Sequence, residues 1–489
     1  MTCDVAIFGF TLKPIPYTYT IPSNSVVQPG QLVEVPFGKK RSKGIVISTS
    51  EKTESMFNLK QITKVLSPHP LLTASQLELA TWISKTYFTP LAKSIELFLP
   101  TAIQEIPPDK DHQYQELVIF PTISQALSAY KSYPGLIYGS HLTRKKLDQA
   151  WKQVHSGKAR TIIGTRSALF APFQNLKKIT IFQTESDLYK NERHPYYRAL
   201  TVAAKLAELS GAKLKAISYS PRIQDHYTIH HTIKKITQPF SYQVIDLKRM
   251  PIINGRLLET LRGANPQRTL VFLNRKSDHG YLNCQTCKEV SYTNDPTICP
   301  NCQSADVRFK VINLSTTSKK ILKETGKDFT FATQQVFFDL ESSSRFDLIV
   351  VLSADTYLHL NSFNAGEKTF QTITSLTRLL RPQGRIIVQT AFPKLTAIKS
   401  SLQANYGHFY DEEVGARREV NYPPFTELAK LTYRSLESQT PDKPNLPSDV
   451  EVLGPFNNTY PYFAVRGQNL EALESLTRPW VLDIDPLSI

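Results

Sequence analysis

The stretch Ile162-Ile163-Gly164-Thr165-Arg166-Ser167-Ala168-Leu169-Phe170-Ala171-Pro172-Phe173 decides how this chain is read. With Thr161 it opens on a short, β-branched apolar run that Gly164 cuts off, which is the signature of a buried strand. Outward from it the same pattern recurs in Leu117-Val118-Ile119-Phe120 and Ile179-Thr180-Ile181-Phe182, and an amphipathic helix reads from Leu200 to Leu209. Strand-like runs alternating with helices from Glu116 to about Ser220 predict a parallel α/β sheet. A second α/β unit begins at Thr269-Leu270-Val271-Phe272-Leu273 and resumes at Phe329. It continues through Leu348-Ile349-Val350-Val351-Leu352 to Arg385-Ile386-Ile387-Val388-Gln389.

The flanks read differently. Residues 1–100 form a β-rich unit: Val26 to Gly38 is a turn followed by an alternating strand, Gly44-Ile45-Val46-Ile47-Ser48 is the next strand, and Gln76 to Phe98 is helical with a break at Pro90. Pro29-Gly30 and the Gly38-Lys39-Lys40 tip supply turn chemistry, glycine giving access to positive φ. Residues 101–115 are polar, contain Pro107-Pro108, and read as a linker. Residues 397–489 read as a final α+β unit with strands at Glu427–Tyr433 and Trp480–Ile484. The expected division is therefore 1–100, a linker at 101–115, α/β units at 116–235 and 236–396, and 397–489.

At 489 residues the chain is too long for one core. Its hydrophobic fraction of 41% leaves ample apolar surface to bury in several. Lys and Arg exceed Asp and Glu by 58 − 42 = 16, an excess that favours a polyanionic partner. The cations stand in short clusters, such as Lys39-Lys40-Arg41, Lys177-Lys178 and Lys234-Lys235, which fits folded basic surfaces better than a disordered arm. No apolar run reaches the ~20 residues of a membrane span, and residues 1–10 lack a basic start for a signal peptide. Four of the five cysteines lie in one cluster, which is not a disulfide framework, so a cytoplasmic protein with no membrane contact is expected.

That cluster, Cys284-x2-Cys287-x11-Cys299-x2-Cys302, is the strongest purely physical signal. Two C-x2-C knuckles a hairpin apart can hold four thiolates at about 2.3 Å around one zinc ion. Four protein ligands leave no open position for water, so the expected role is one structural zinc in a ribbon spanning 280–306. Cys3 stands alone and is expected to be a small buried residue.

In order along the chain, these motifs resemble the PriA replication restart helicase (primosomal protein N′) family. Tyr17-Thr18-Tyr19, Val35-Pro36-Phe37-Gly38-Lys39, Gly44-Ile45-Val46 and Leu59-Lys60 are similar to its 3′-end DNA-binding domain. The resemblance implies a pocket in which Tyr17 stacks on a base, Gly38 allows close backbone approach, and Lys39 and Lys60 neutralise phosphate. Thr18 stands where the family usually has aspartate. Leu117 to Ile123 and Gly164 to Phe170 resemble motifs of the first RecA-like helicase lobe. Asp187-Leu188-Tyr189-Lys190 and Pro195-Tyr196-Tyr197-Arg198-Ala199 resemble the aromatic-rich loop, which implies DNA contacts at Tyr189, Lys190, Tyr197 and Arg198. Phe272-Leu273-Asn274-Arg275 precedes the ribbon as in the second lobe, although the family has eight cysteines there and this chain four. Glu413-x3-Arg417-Arg418 and Tyr422-Pro423-Pro424-Phe425 resemble the signature of the C-terminal domain, and Leu453-Gly454-Pro455 and Trp480 to Pro486 resemble its last strands.

The departures concern the motor. No G-x-x-x-x-G-K-S/T sequence occurs anywhere, and Gln183-Thr184-Glu185-Ser186 stands where the family has its acidic DEEH-type motif. Ser220-Pro221 lacks the Ala-Thr that normally follows in the coupling motif, and Thr377-Arg378-Leu379-Leu380-Arg381 has lost the glycines of the arginine-finger motif. Hydrolysis needs backbone N–H groups and a lysine on the phosphates and a carboxylate holding Mg²⁺. The expected function is therefore DNA binding at forks, 3′ ends or single strands during replication restart, as a degenerate helicase without ATP as cofactor and without catalytic residues. The resemblance further implies single-strand-binding protein and helicase-loading factors as partners. The alternatives are an ATP-dependent 3′-to-5′ DNA helicase with a non-standard nucleotide site and a zinc-ribbon nucleic-acid or protein adaptor. Asp483 and Asp485 could suggest a metal pair, but the end of a C-terminal strand is the simpler reading.

Overall fold

A computed structural model describes residues 1–9, 16–51, 58–99, 114–248, 250–274, 280–287, 290–293, 297–299, 301–311, 314–339, 346–358, 362–434, 441–456, 460–476 and 479–487. Of the expected linker, 101–113 lies outside the described residues.

The N-terminal unit is a five-stranded antiparallel sheet of β1 (Thr2–Ile7), β2 (Tyr17–Thr20), β3 (Leu32–Phe37), β4 (Lys40–Ser50) and β5 (Lys64–Val65), in the order β2-β1-β4-β3-β5. Its apolar residues alternate along the strands, and Val5, Ile7, Val33, Val35 and Val46 close a small core on one face. Two helices follow, α1 (Ala74–Thr86) and α2 (Leu91–Glu96). Thr73 caps α1 in a reciprocal box with Gln76: the Gln76 N–H donates to the Thr73 hydroxyl (3.3 Å) and the Thr73 N–H to the Gln76 amide oxygen (2.9 Å). Pro90 separates the two helices, as its missing N–H requires.

The first parallel sheet contains β6 (Gln115–Ile119), β7 (Leu136–Tyr138), β8 (Thr161–Gly164), β9 (Leu176–Phe182), β10 (Lys213–Ser218) and β11 (His231–Ile233), in the order β11-β10-β9-β6-β8-β7. Helices α3 (Ile123–Ser128), α4 (Arg144–His155), α5 (Ala199–Ser210) and α6 (Ile223–Thr228) connect the strands. Strand β6 starts at Gln115, inside the expected linker, and that side chain is buried, donating to the carbonyls of Val154 (2.9 Å) and Ala159 (3.2 Å). Gly164 is the last residue of β8, and the position requires glycine because a Cβ there would lie 2.2 Å from the Tyr138 carbonyl oxygen. Beyond it Phe170 packs edge-on against Phe98 (5.2 Å) and Tyr197 (5.1 Å). Trp151 donates to the Phe98 carbonyl at 2.8 Å, so α1 and α2 share one core with this sheet.

The second parallel sheet, β12-β19-β18-β13-β17, uses β12 (Phe240–Asp246), β13 (Thr269–Phe272), β17 (Thr330–Ala332), β18 (Phe346–Val351) and β19 (Leu380–Thr390). The first strand legible in the sequence is at Thr269; within the expected bounds of 236–396, β12 precedes it and pairs along β19 from Phe240 to Asp246. As an edge strand it is mostly solvated, which hides it from a search for apolar runs. Helices α7 (Gly255–Gly263), α8 (Leu314–Thr325), α9 (Val336–Asp339) and α10 (Ala365–Thr377) belong to this unit. Between β13 and α8 a separate three-stranded sheet of β14 (Gly280–Cys284), β15 (Val290–Thr293) and β16 (Val307–Val311) is inserted.

After α11 (Thr396–Leu402) and α12 (Tyr406–Glu419), a four-stranded antiparallel sheet closes the chain. To β20 (Glu427–Tyr433) and β23 (Trp480–Ile484), both expected, it adds β21 (Glu451–Phe456) and β22 (Tyr462–Gly467), in the order β21-β22-β20-β23. Among the described residues no helix is long and apolar enough to cross a membrane.

Candidate nucleic-acid interface and metal centre

At the edge of the N-terminal sheet, residues 17, 37–39 and 60 come together. Strand β2 pairs with β1, placing Tyr17 opposite Val5 and Thr18 opposite Asp4. The segment carrying Lys60 lies along the other side of β2: the Thr20 N–H donates to the Lys60 carbonyl at 3.0 Å, and the Ile62 N–H to the Thr20 carbonyl at 3.1 Å. Gly38 and Lys39 form the two-residue tip of the β3–β4 hairpin, and Gly38 has φ +59°, the left-handed conformation such tips need. The Lys60 ammonium donates to the Gly38 carbonyl at 3.4 Å. Tyr17 packs edge-on against Phe37, with ring centroids 5.1 Å apart. Lys39 and Lys60 are exposed and Tyr17 is half-buried, so one ring and two ammonium groups remain accessible on one surface.

Sequence reasoning missed Asp4. The Thr18 hydroxyl donates to one Asp4 carboxylate oxygen (2.8 Å) and the Ser48 hydroxyl to the other (2.9 Å). A carboxylate therefore stands beside Thr18 after all, supplied by the neighbouring strand. The only local signal is a lone acid in the otherwise apolar run of β1.

The four cysteines form the only group of three or more potential Cys, His or carboxylate ligands close enough to hold a metal ion among the described residues; their sulfurs all lie within 4.8 Å of one another. The Cys284–Cys302 and Cys287–Cys299 sulfurs are 3.5 and 3.7 Å apart. Four thiolates at 2.3 Å in a tetrahedron would be about 3.8 Å apart, so this donor set fits a zinc-sized ion. The Cys287 N–H donates to the Cys284 sulfur (3.4 Å) and is the main reason that thiol is drawn down to about 6. Cys3, by contrast, is buried in the N-terminal core, where desolvation pushes its thiol up to about 12.

Tyr189, Lys190, Tyr197 and Arg198 require correction. They are 0%, 4%, 3% and 1% exposed, so none offers a ring face or a charge to DNA. The Tyr189 hydroxyl donates to the Phe182 carbonyl (2.7 Å), and Tyr197 packs on Phe170. The Lys190 ammonium is enclosed by the Asp483 carboxylate (2.7 Å) and the carbonyls of Ile484 (2.5 Å) and Asp485 (3.0 Å). Arg198 donates to Asp225 (3.3 Å) and to the Thr184 carbonyl (3.2 Å). These residues pack the loop and bind it to the C-terminal strand.

Further ion pairs tie the units together. Arg222 clamps Asp485 with two bonds of 2.9 and 2.6 Å, which also removes the metal-pair reading of Asp483 and Asp485. Burial alone would raise the Asp485 carboxyl; Arg222 overcomes that and holds it below its usual value. Arg417 is 3% exposed and joins Glu367 (3.1 Å) on α10 to Glu413 (3.0 Å) one turn back on α12. The E-x3-R spacing thus makes a buried bridge between α10 and α12.

Between the two parallel sheets lies a cleft of ≈ 350 Å³, lined by Gln183, Glu185, Asp187, Tyr219, Lys368 and Arg378 among others. Two of its carboxylates, Glu185 and Asp187, are engaged, and Glu192 also lines it. Glu185 accepts from the Ser218 hydroxyl and lies 3.9 Å from Arg378, and Asp187 pairs with Lys368. Gln183 turns through a left-handed backbone conformation (φ +53°) and accepts from the Gln125 amide at 3.2 Å.

Comparison with known proteins places these observations. Residues 10–100 match the family model described as the 3′DNA-binding domain (3′BD) of PriA. The chain is 27% identical to the replication restart protein PriA of Bacillus subtilis, over 70% of this chain and 53% of that protein. It is 21% identical to PriA of Borreliella burgdorferi over 83% of each. With PriA of Rickettsia prowazekii it shares 22% identity over 86% of this chain and 85% of that protein. The chain thus spans about half the length of the Bacillus relative. Among solved structures, RecG bound to a three-way DNA junction aligns over 71% of this chain and 50% of that chain at 9% identity, with a TM-score of 0.32, too low to carry an argument.

Proposed function

Because this chain belongs to the PriA family, we propose that it is a DNA-binding replication-restart protein that reads forked or 3′-ended DNA without hydrolysing ATP. The observation that carries this reading is the gathering of Tyr17, Gly38, Lys39 and Lys60 on one accessible edge, within the stretch matched by the 3′DNA-binding domain. A terminal base would stack on Tyr17, its phosphates would meet Lys60 and Lys39, and the paired Thr18 and Asp4 would stand within reach of the terminal hydroxyl. The flanking units act in this reading as degenerate RecA-like lobes and a PriA-like C-terminal domain that hold the reader and present it to partners such as single-strand-binding protein and helicase-loading factors.

The competing reading, a 3′-to-5′ helicase with an unusual nucleotide site, needs a carboxylate free to hold Mg²⁺. The engagement of Glu185 by Ser218 and Arg378, and of Asp187 by Lys368, supports the motorless reading instead. One experiment addresses both: fork binding by wild type and Lys60→Ala, with ATP hydrolysis followed on the same DNA. The expected result is binding without DNA-stimulated hydrolysis, with Lys60→Ala losing affinity for 3′-tailed forks more than for blunt duplex. Equal loss on both substrates would sink the pocket, and robust hydrolysis would sink the motorless reading.

Cys284, Cys287, Cys299 and Cys302 would hold one zinc ion, which supplies a rigid cross-link and no open coordination site. Elemental analysis should find about one zinc per chain and Cys299→Ser should release it; an unchanged metal content in the variant would remove the assignment.

A further inference from the structure

Helix α10 turns a polar stripe inward. At about 100° per residue, Glu367, Gln371 and Arg378 fall within ~40° of one another around its axis, and Lys368 stands beside them at ~100° from Glu367. Arg378 keeps helical backbone angles just past the last turn. A stripe of this kind on a surface helix faces water. Glu367, Lys368 and Gln371 are instead buried, and each meets the first parallel-sheet unit. The Glu367 carboxylate accepts from the Ile223 N–H at 3.0 Å, and the Gln371 amide donates to the Ser220 carbonyl at 3.1 Å. The Lys368 ammonium pairs with Asp187. The Arg378 guanidinium stacks on Tyr219 at 4.0 Å and lies 3.9 Å from Glu185.

Further contacts lie along the same boundary. Ile223 is fully buried among Phe370 of α10 and Tyr406 and Phe409 of α12, and the Tyr406 hydroxyl donates to the Pro221 carbonyl at 3.1 Å. The C-terminal segment touches both units. Asp485 is clamped by Arg222, and two residues on the Leu487 carbonyl accepts from the Asn364 side chain at the start of α10, at 3.2 Å. The two ion pairs across the cleft run the same way: the carboxylates Glu185 and Asp187 come from the first unit, the cations Lys368 and Arg378 from the second.

We propose that these contacts are a latch that holds the two parallel-sheet units closed on each other without a nucleotide, Lys368 and Arg378 taking as partners the carboxylates Asp187 and Glu185 of the opposite unit. Two-domain proteins that close around a ligand do so because both domains bond to it. Here the units bond to each other, so the closed state needs no differential contact from a ligand. Opening would return the four ions to water, and the pairs therefore add little to the adhesion itself. The apolar contacts around Ile223 supply that adhesion, and the pairs fix the register, because sliding α10 would leave buried charges without partners. The latch goes beyond the loss of hydrolysis, since a cleft that hydrolyses nothing can still open and shut. It stands whether or not the N-terminal edge reads 3′ ends.

The distance between the units tests it, read by single-molecule energy transfer. Fluorophores are attached through encoded clickable amino acids at Gln153 of α4 and Glu259 of α7, exposed positions on opposite units, in the full chain with its cysteines intact. The latch predicts a single distance in wild type, unchanged by Mg²⁺ with a non-hydrolysable ATP analogue. Lys368→Glu, which sets a carboxylate against Asp187, should add a second population at longer distance. Asp187→Lys/Lys368→Glu restores an opposite pair and should restore the single distance, which a misfolded chain could not do. A wild-type distance that splits into separate populations, or shifts with the analogue, overturns the latch and needs no variant to be seen. A Lys368→Glu variant with the wild-type distance, or a double variant that stays open, overturns it as well. ATP hydrolysis at a fixed distance would instead sink only the motorless reading proposed above.

Discussion

The edge of the N-terminal sheet and the loop between β9 and α5 carry the same residue types, tyrosines interleaved with lysines and arginines, and they use them differently. At the edge, Lys39 and Lys60 are exposed, and the one hydrogen bond found for the Lys60 ammonium goes to a backbone carbonyl. In the loop, Lys190 and Arg198 are sealed among Asp483, Asp225 and main-chain carbonyls. An exposed cation costs nothing to keep and can give its charge to a phosphate, whereas a buried one is tolerable only with its partners in place. The contrast separates binding from stability within one chain: removing an edge charge should change what the protein holds, and removing a loop or cleft charge should change whether it stays folded.

The sharpest way to break that separation is Arg417→Ala. Arg417 and Glu367 are 3% and 1% exposed, and truncating Arg417 leaves the buried Glu367 carboxylate without its counter-charge and, among the described residues, with the Ile223 N–H (3.0 Å) as its remaining donor. The expected cost is about 3–5 kcal/mol of stability, read from the urea midpoint. A loss below ~1 kcal/mol would mean that water reaches the network, and the exposure contrast would lose its force. Lys60→Ala should leave the same midpoint unmoved, because Lys60 gives up only a 3.4 Å bond at the surface.

The contrast also explains what could be read from the sequence. The central strands β6, β8, β9, β13, β18 and β19 were legible because each is a local apolar run, whereas β7 is short and β10 and β11 are broken by polar residues; the cysteine ribbon was legible because its ligands follow a fixed spacing. The two extra C-terminal strands were not legible as apolar runs: Gly454-Pro455 interrupts β21 and Pro461 stands directly before β22, and only the family resemblance pointed to a strand at Leu453-Gly454-Pro455. Strand β12 was hidden by its solvated edge position. The burial of Lys190 could not be read locally at all, since its carboxylate partner stands at position 483. Nothing in Asp187-Leu188-Tyr189-Lys190 distinguishes a lysine waiting for DNA from one already paired. Asp4 escaped for the same reason: only strand pairing brings it beside Thr18.

The smallest expected effect concerns acid. Asp485 and Asp187 have carboxyls held below the usual 3.8: burial would raise both, and Arg222 and Lys368 respectively outweigh it. A carboxyl depressed on folding contributes stability that is fully present above its unfolded value and lost as pH falls through its folded value. Asp483 and Glu413 act in the opposite sense. Burial holds them above 3.8 and 4.5 despite Lys190 and Arg417, so their cost at neutral pH is relieved as pH falls. The two sets act in different windows: the raised pair adds stability as pH falls toward about 4, and the depressed pair removes it below 3.8. Urea midpoints of wild type and Asp485→Asn from pH 6 to pH 3 follow this directly. The variant should be less stable at pH 6, and the gap should narrow once the wild-type carboxylate begins to protonate. A gap that stays constant to pH 3 would mean that Arg222 gains nothing from the charge on Asp485, and that the clamp between the C-terminal strand and the first parallel sheet is held by shape and neutral hydrogen bonds alone.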